Sequence, residues 1–255
     1  MRSLWLRCLL IAVALFSAPA LSIVNIEDMR MDESKPGWML SSTLSLSGKR
    51  GNLEEDKLSL NGGTQWISDD LKVRNLLLFT VANDRAEGET YSEEYFAHLR
   101  HTRQVVNGIA WELFGQHQSE PLNQDYKRQL IGSNARFRIE TALVDGYGGA
   151  GLMYEERSVE PPLAEQIERN DWRLNFYLNS SYPLSDNAEL AVNFYVQPAI
   201  EDFSDVRSVV NAGITSRLNR VFSLTLDVSY SNESEPLVGQ AHDEWTYAMG
   251  LNFRF

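Results

Sequence analysis

A chain of 255 residues with 35 acidic against 23 basic side chains carries a net charge of −12 at neutral pH, so phosphate repulsion excludes nucleic acid as a partner. Its single cysteine cannot close a disulfide within the chain, and no run of about 18 apolar residues is present from which a membrane-crossing helix is built. A mean hydropathy of −0.31 argues against a helical membrane protein as well, yet suits a chain in which every second residue meets water.

Arg2 and Arg7 form a basic n-region, Cys8 to Phe16 an apolar h-region, and Ser17 to Ser22 a small-residue stretch with cuts after Ala20 or Ser22. The expected domains are a secretory signal peptide at 1–22, a periplasmic segment at 23–36 stopped by Pro36, and a barrel over 37–255. Cys8 does not stand at the end of a lipobox, so no lipid anchor is expected. Cleavage removes Arg2 and Arg7 and takes the net charge from −12 to −14.

Twelve segments of alternating character follow, near 37–48, 57–68, 72–82, 94–104, 106–117, 126–138, 147–156, 171–182, 189–200, 207–218, 221–231 and 244–255. Each has about the ten residues that a tilted spanning strand requires. The expected fold is therefore all-β, a transmembrane antiparallel up-and-down β-barrel of about 12 strands in a Gram-negative outer membrane. An even count puts both ends in the periplasm. The turns at Asp69-Asp70-Leu71, near Gln104, at Ser185-Asp186-Asn187 and at Leu218-Asn219-Arg220 then lie on that side, Asn/Asp-rich as tight hairpins prefer. The link over 138–146 is the least sharply marked.

The faces are clearest in the second half. Trp172, Leu174, Phe176 and Leu178 oppose Arg173, Asn175, Tyr177 and Asn179; Leu190, Val192, Phe194 and Val196 oppose Ala191, Asn193, Tyr195 and Gln197. Phe222, Leu224, Leu226 and Val228 alternate with Ser223, Thr225, Asp227 and Ser229. One face suits lipid and the other a wet lumen. Trp38, Trp66, Tyr95, Trp111, Trp172, Tyr182, Trp245 and Tyr247 stand near strand ends, where they make aromatic girdles. The last strand ends on Phe253 and Phe255 with Tyr247 upstream, the pattern of an outer-membrane sorting signal read by the barrel-assembly machinery.

Ile23-Val24-Asn25-Ile26-Glu27, and Leu44 to Asn52 with its Ser47-Gly48-Lys49-Arg50-Gly51-Asn52 turn, resemble the YdiY-like family of salt-induced outer-membrane proteins. The resemblance implies a small barrel and no established activity; its salt label describes expression, not mechanism.

Parity directs Arg74, Glu94, His98, Arg100, Glu112, Arg128, Arg136, Arg138, Arg173, Arg217, Asp227, Glu244 and Arg254 into the lumen. In so narrow a barrel opposite charges pair across it, giving a polar packed interior or a restricted passive channel leaning toward anions. The alternative function is a lipid hydrolase built on His117 and Ser119, which share the lipid-facing side so that imidazole can take a hydroxyl proton. Glu120, Asn123 and Asp125 are near them only in sequence, so no orienting acid or oxyanion donor is identified. Asn52 to Asp56, Glu87 to Glu94, Ser158 to Asp171, Glu201 to Asp205 and Asn232 to Glu244 concentrate carboxylates in external loops. These are expected to be solvated, or to share Ca²⁺ or Mg²⁺ with lipopolysaccharide phosphates as the lipid partner. His98, His101, His117 and His242 are scattered and no EF-hand spacing occurs, so no cofactor and no dedicated metal site are expected.

Overall fold

The period-two pattern becomes twelve strands: β1 (Gly37–Lys49), β2 (Glu55–Ile67), β3 (Val73–Ala86), β4 (Glu89–Val106), β5 (Ile109–Glu120), β6 (Tyr126–Glu140), β7 (Asp145–Val159), β8 (Ile167–Ser185), β9 (Ala188–Pro198), β10 (Val206–Arg217), β11 (Phe222–Glu233) and β12 (Asp243–Phe253). They form one antiparallel sheet in strict sequence order from β1 to β12. The computed structural model describes residues 35–50, 54–141, 145–162, 165–219 and 222–253. The expected signal peptide, most of the segment at 23–36, Arg254 and Phe255 lie outside them.

Side chains join strands that are not neighbours in the sheet, which means that it curls around a common interior. Tyr177 on β8 bonds Glu112 on β5, Asn175 on β8 bonds Asn134 on β6, and Arg157 on β7 bonds Glu233 on β11. Glu244 on β12 lies within electrostatic range of Glu94 on β4 and Glu120 on β5. The sheet is an up-and-down barrel.

Its outer surface is apolar. Leu99, Trp111, Leu113, Ile131, Phe176, Phe194, Leu226 and Met249 are all exposed, and uncompensated in water they form a patch far larger than a soluble monomer carries. Trp172 and Tyr182 stand ten residues apart on β8. That is about 33 Å of strand, rising about 25 Å at a tilt near 40°, the height of an outer-membrane apolar band. Tyr154 packs on Trp172 and Tyr230 on Trp245 at ring-centroid distances of 5.2 and 4.5 Å, giving one girdle; Trp38, Trp66, Trp111 and Tyr182 mark the other.

Three expected boundaries shift. Residues 87–94 are mostly strand rather than loop: β3 and β4 pair as far as Ala86↔Glu89 and turn at Glu87-Gly88, both with positive φ. Charged residues do not prevent a ladder that has risen clear of the apolar band into water. The turn expected near Gln104 falls at Asn107-Gly108, where Gly108 supplies the positive φ of a tight hairpin. The loop expected over 158–171 likewise narrows, because β8 begins at Ile167.

Glycines in β6 and β7 admit large rings to the interior. A Cβ on Gly149 would lie 2.0 Å from the Tyr177 ring, and one on Gly132 would lie 2.4 Å from the Phe114 ring. Both rings fill space that the missing side chains leave.

Candidate functional site

Strands β6, β7, β8, β10 and β11 each place an ionisable residue on the inward face at their outer end, so curvature collects these residues into one ring. At its centre Glu155 is fully buried, with four arginines around its carboxylate: Arg128 Nε and Arg207 Nη1 at 2.5 Å, Arg173 Nε at 2.9 Å and Arg157 Nε at 3.8 Å. Further acids balance the excess cations. Arg157 meets Glu233 at 2.8 Å and Asp171 at 3.5 Å; Arg173 meets Asp205 at 2.5 Å; Arg169 meets Asp205 at 2.6 Å and Asp171 at 3.0 Å; Arg207 also pairs with Glu233.

Burial at this depth is costly for each ion and is offset only by close partners. Several contacts are Coulombic rather than directional: Glu155 Oε2 and Arg173 Nε are 2.9 Å apart, yet neither forms a hydrogen bond. An apolar cap of Tyr126, Val159 and Leu237, with Ile167 against it, covers the ring from outside. Leu237 belongs to the β11–β12 connection, which folds inward to supply it. Excluding water lowers the local dielectric and strengthens every pair beneath.

A second, smaller group lies toward the opposite end of the barrel. Tyr177 donates to Glu112 at 2.5 Å, and Asn134 and Arg136 approach the same carboxylate at 3.5 and 3.4 Å. The Arg136 guanidinium lies 3.6 Å from the centre of the Tyr147 ring.

Side-chain amides run along the wall between and beside the two groups. Asn175 donates to Asn134 at 3.2 Å and Gln197 donates to Asn175 at 2.9 Å; Asn179 donates to Asn193 at 2.8 Å. This ladder borders a cavity of about 60 Å³ whose wall includes His98, Phe114, Gln116, Tyr177, Tyr195, Asn211, Arg100 and Arg128. Phe114, Leu130 and Met153 form an apolar patch on it, and His98 stacks on Phe114 with ring centroids 6.3 Å apart. A cavity of about 30 Å³ lies beside the outer ring, bordered by Tyr126, Arg157, Glu233, Gln240 and Glu244.

Of the residues expected in the lumen, His98, Glu112, Arg128 and Arg173 are buried there, and Arg74, Glu94, Arg100, Arg136, Asp227 and Glu244 are half-buried on the inward face. Arg138 and Arg217 instead stand exposed at the rim opposite the Glu155 ring, where Arg138 pairs with Asp145 and Arg217 donates to the Asp186 carbonyl at 2.9 Å. Their strands end there, beyond the packed interior. Arg254 and Phe255 lie outside the described residues; Tyr247 is 85% exposed on the outer face and Phe253 pairs with Phe222.

Glu155, Arg157 and Arg207 were not among the expected residues, although parity marks them: Glu155 and Arg157 share a face with Met153, and Arg207 shares one with Arg217. Asp171, Asp205 and Glu233 belong to stretches read as solvated acidic loops. The structure turns them inward onto the arginines. Among the described residues no group of three or more His, Cys, Asp or Glu is arranged to hold a metal ion.

His117 is exposed, while Ser119 is only 9% exposed and pairs in register with Tyr95 and Lys127. Among the described residues no hydrogen bond joins them and no carboxylate orients the imidazole. Glu120 is engaged by Gln118 and Asn123, and Asp125 by Lys127.

A family model described as "Protein of unknown function, DUF481" matches residues 42–255. No curated protein matches the chain. Among solved structures the chain is similar to the translocator domain of the autotransporter NalP from Neisseria meningitidis, with 13% identity and a TM-score of 0.47 over 88% of this chain and 90% of that one. It is also similar to the NanC porin in a rhombohedral crystal form, with 9% identity and a TM-score of 0.45 over 84% of this chain and 100% of that one.

Proposed function

The chain belongs to the DUF481 family, the YdiY-like group that its first-strand turn resembles, and from that premise we propose a non-enzymatic barrel of the Gram-negative outer membrane whose lumen is closed at the outer end. The exposed apolar belt and its aromatic girdles support the location. One observation carries the activity: a single buried carboxylate, Glu155, held among four arginines beneath an apolar cap. Such a ring fills the lumen with paired charge and leaves ions a costly path. The barrel is thus a structural envelope protein, or at most a channel of very small conductance.

The mature protein, refolded into planar bilayers in concentrated KCl, is expected to give no long-lived open steps. Glu155→Gln combined with Arg207→Gln breaks the ring and is expected to produce steady conductance. Wide, stable steps from the unaltered protein would defeat the closed-lumen reading, and reversal potentials in a salt gradient would report any anion preference. Fractionation tests location: the protein should need detergent for release from the envelope.

Recognition by the assembly machinery through the terminal strand with Tyr247, and contact with lipopolysaccharide, form part of the same proposal. Ca²⁺ or Mg²⁺ bridging would fall to loop carboxylates not drawn into the ring, such as Glu54 and Glu201. The hydrolase alternative rests on His117 and Ser119 sharing one parity; unchanged lipid acylation in cells overproducing Ser119→Ala would end it.

A further inference from the structure

The cavity of about 60 Å³ between the two charged groups is bordered by the guanidiniums of Arg100 and Arg128 and by no carboxylate. It also collects idle donors. Arg128, 4% exposed, donates through Nε alone, to Glu155 at 2.5 Å; among the described residues its two terminal nitrogens donate no hydrogen bond. Buried Asn211 and half-buried Gln116 also border the cavity, and among the described residues neither Asn211 Nδ2 nor Gln116 Nε2 donates one. An N–H withdrawn from bulk water without an acceptor costs free energy that an anion recovers, most of all where the donor is charged.

We propose that this cavity binds one small inorganic anion of halide size, such as chloride, held by the terminal nitrogens of Arg128 with Asn211 Nδ2 and Gln116 Nε2. The sign follows from the wall: guanidiniums without a carboxylate attract a negative ion and repel a cation. Size sets the class. Benzene fills a cavity of roughly 150 Å³ and liquid water takes about 30 Å³ per molecule, so about 60 Å³ admits an ion little larger than water, with one water beside it. That water meets a remaining acceptor, His98 Nε2, which is buried and has no hydrogen-bond partner. Phosphate and sulfate are too large. The site goes beyond the closed-lumen reading, because it needs only the packed interior and not the seal above it.

Crystals of the refolded barrel grown in sodium bromide test this directly, since bromide scatters anomalously. An anomalous peak inside the cavity is expected, in contact with Arg128 and Asn211. In detergent micelles, chloride exchanged for gluconate at constant ionic strength should raise the unfolding temperature saturably, because gluconate cannot enter the cavity. Asn211→Leu removes one donor and should weaken the apparent affinity about tenfold. Asn211→Asp keeps the size, places a carboxylate on Arg128 and should abolish the rise. Density for water only, bromide at surface positions only, or an undiminished rise in a folded Asn211→Asp variant would each overturn the site. Should the variants fail to fold, the crystals of the unaltered protein decide alone. A cavity without bromide leaves the closed lumen standing, and a conducting barrel does not remove the peak.

Discussion

The outer end of the lumen and its middle are both buried and polar, but they are held by different physics. The outer ring packs Glu155 among four arginines, with contacts that satisfy charge more than direction. The middle uses amides in a ladder, where each named bond has a donor and an acceptor in line. Removing one member of a charged ring strands several charges, whereas removing one amide strands a single polar group. Sensitivity to substitution should therefore fall steeply from the outer ring inward.

Glu155→Leu is the strongest challenge to that contrast. It leaves four arginines facing one another without their shared carboxylate, and the refolded barrel should lose about 3–5 kcal/mol in urea unfolding. A loss below about 1 kcal/mol would show that the ring relaxes into water and is not a sealed plug. Gly149→Val comes next: its side chain enters the space of the Tyr177 ring, and overpacking should cost about 1–3 kcal/mol. The same measurement should find this change worse than substitution at Gly115, where a Cβ meets only the Leu130 carbonyl at 3.6 Å.

Tyr177→Phe keeps the ring and deletes one hydrogen bond to Glu112. With Asn134 and Arg136 still facing that carboxylate, a loss of about 1–2 kcal/mol is expected. A loss equal to that of Glu155→Leu would erase the distinction between the two levels.

The smallest effect lies outside the barrel wall, in the turn at Asp70. Hydrogen bonds from the Ser68 hydroxyl and the Lys72 N–H hold the Asp70 carboxyl below its ordinary value of 3.8. A depressed folded value means that the stabilisation is present above about pH 3.8 and fades as pH falls through the lower folded value. Asp70→Asn should flatten this acid-side dependence of thermal stability, with a small loss at neutral pH and little change below the folded value.

Much of the barrel was legible because its signals are local. Alternation located each of the twelve strands, and Asn- and Asp-rich pairs marked the hairpins, though Asn107-Gly108 was misplaced by a few residues. The strand extensions at 87–94 escaped notice because a ladder risen into water shows no apolar alternation. In the candidate site, Arg128, Arg173, Glu112 and His98 were readable by parity alone. Asp171, Asp205 and Glu233 were not, since an acidic loop residue looks the same whether it faces solvent or turns over a rim.

By itself the sequence determined strand number and the apolar and polar faces, because a period of two acts between adjacent residues and needs no distant partner. Only the curled sheet decided which inward charges meet. Glu155 and Glu233 lie on strands separated by β8, β9 and β10, and curvature alone brings both within reach of Arg157 and Arg207.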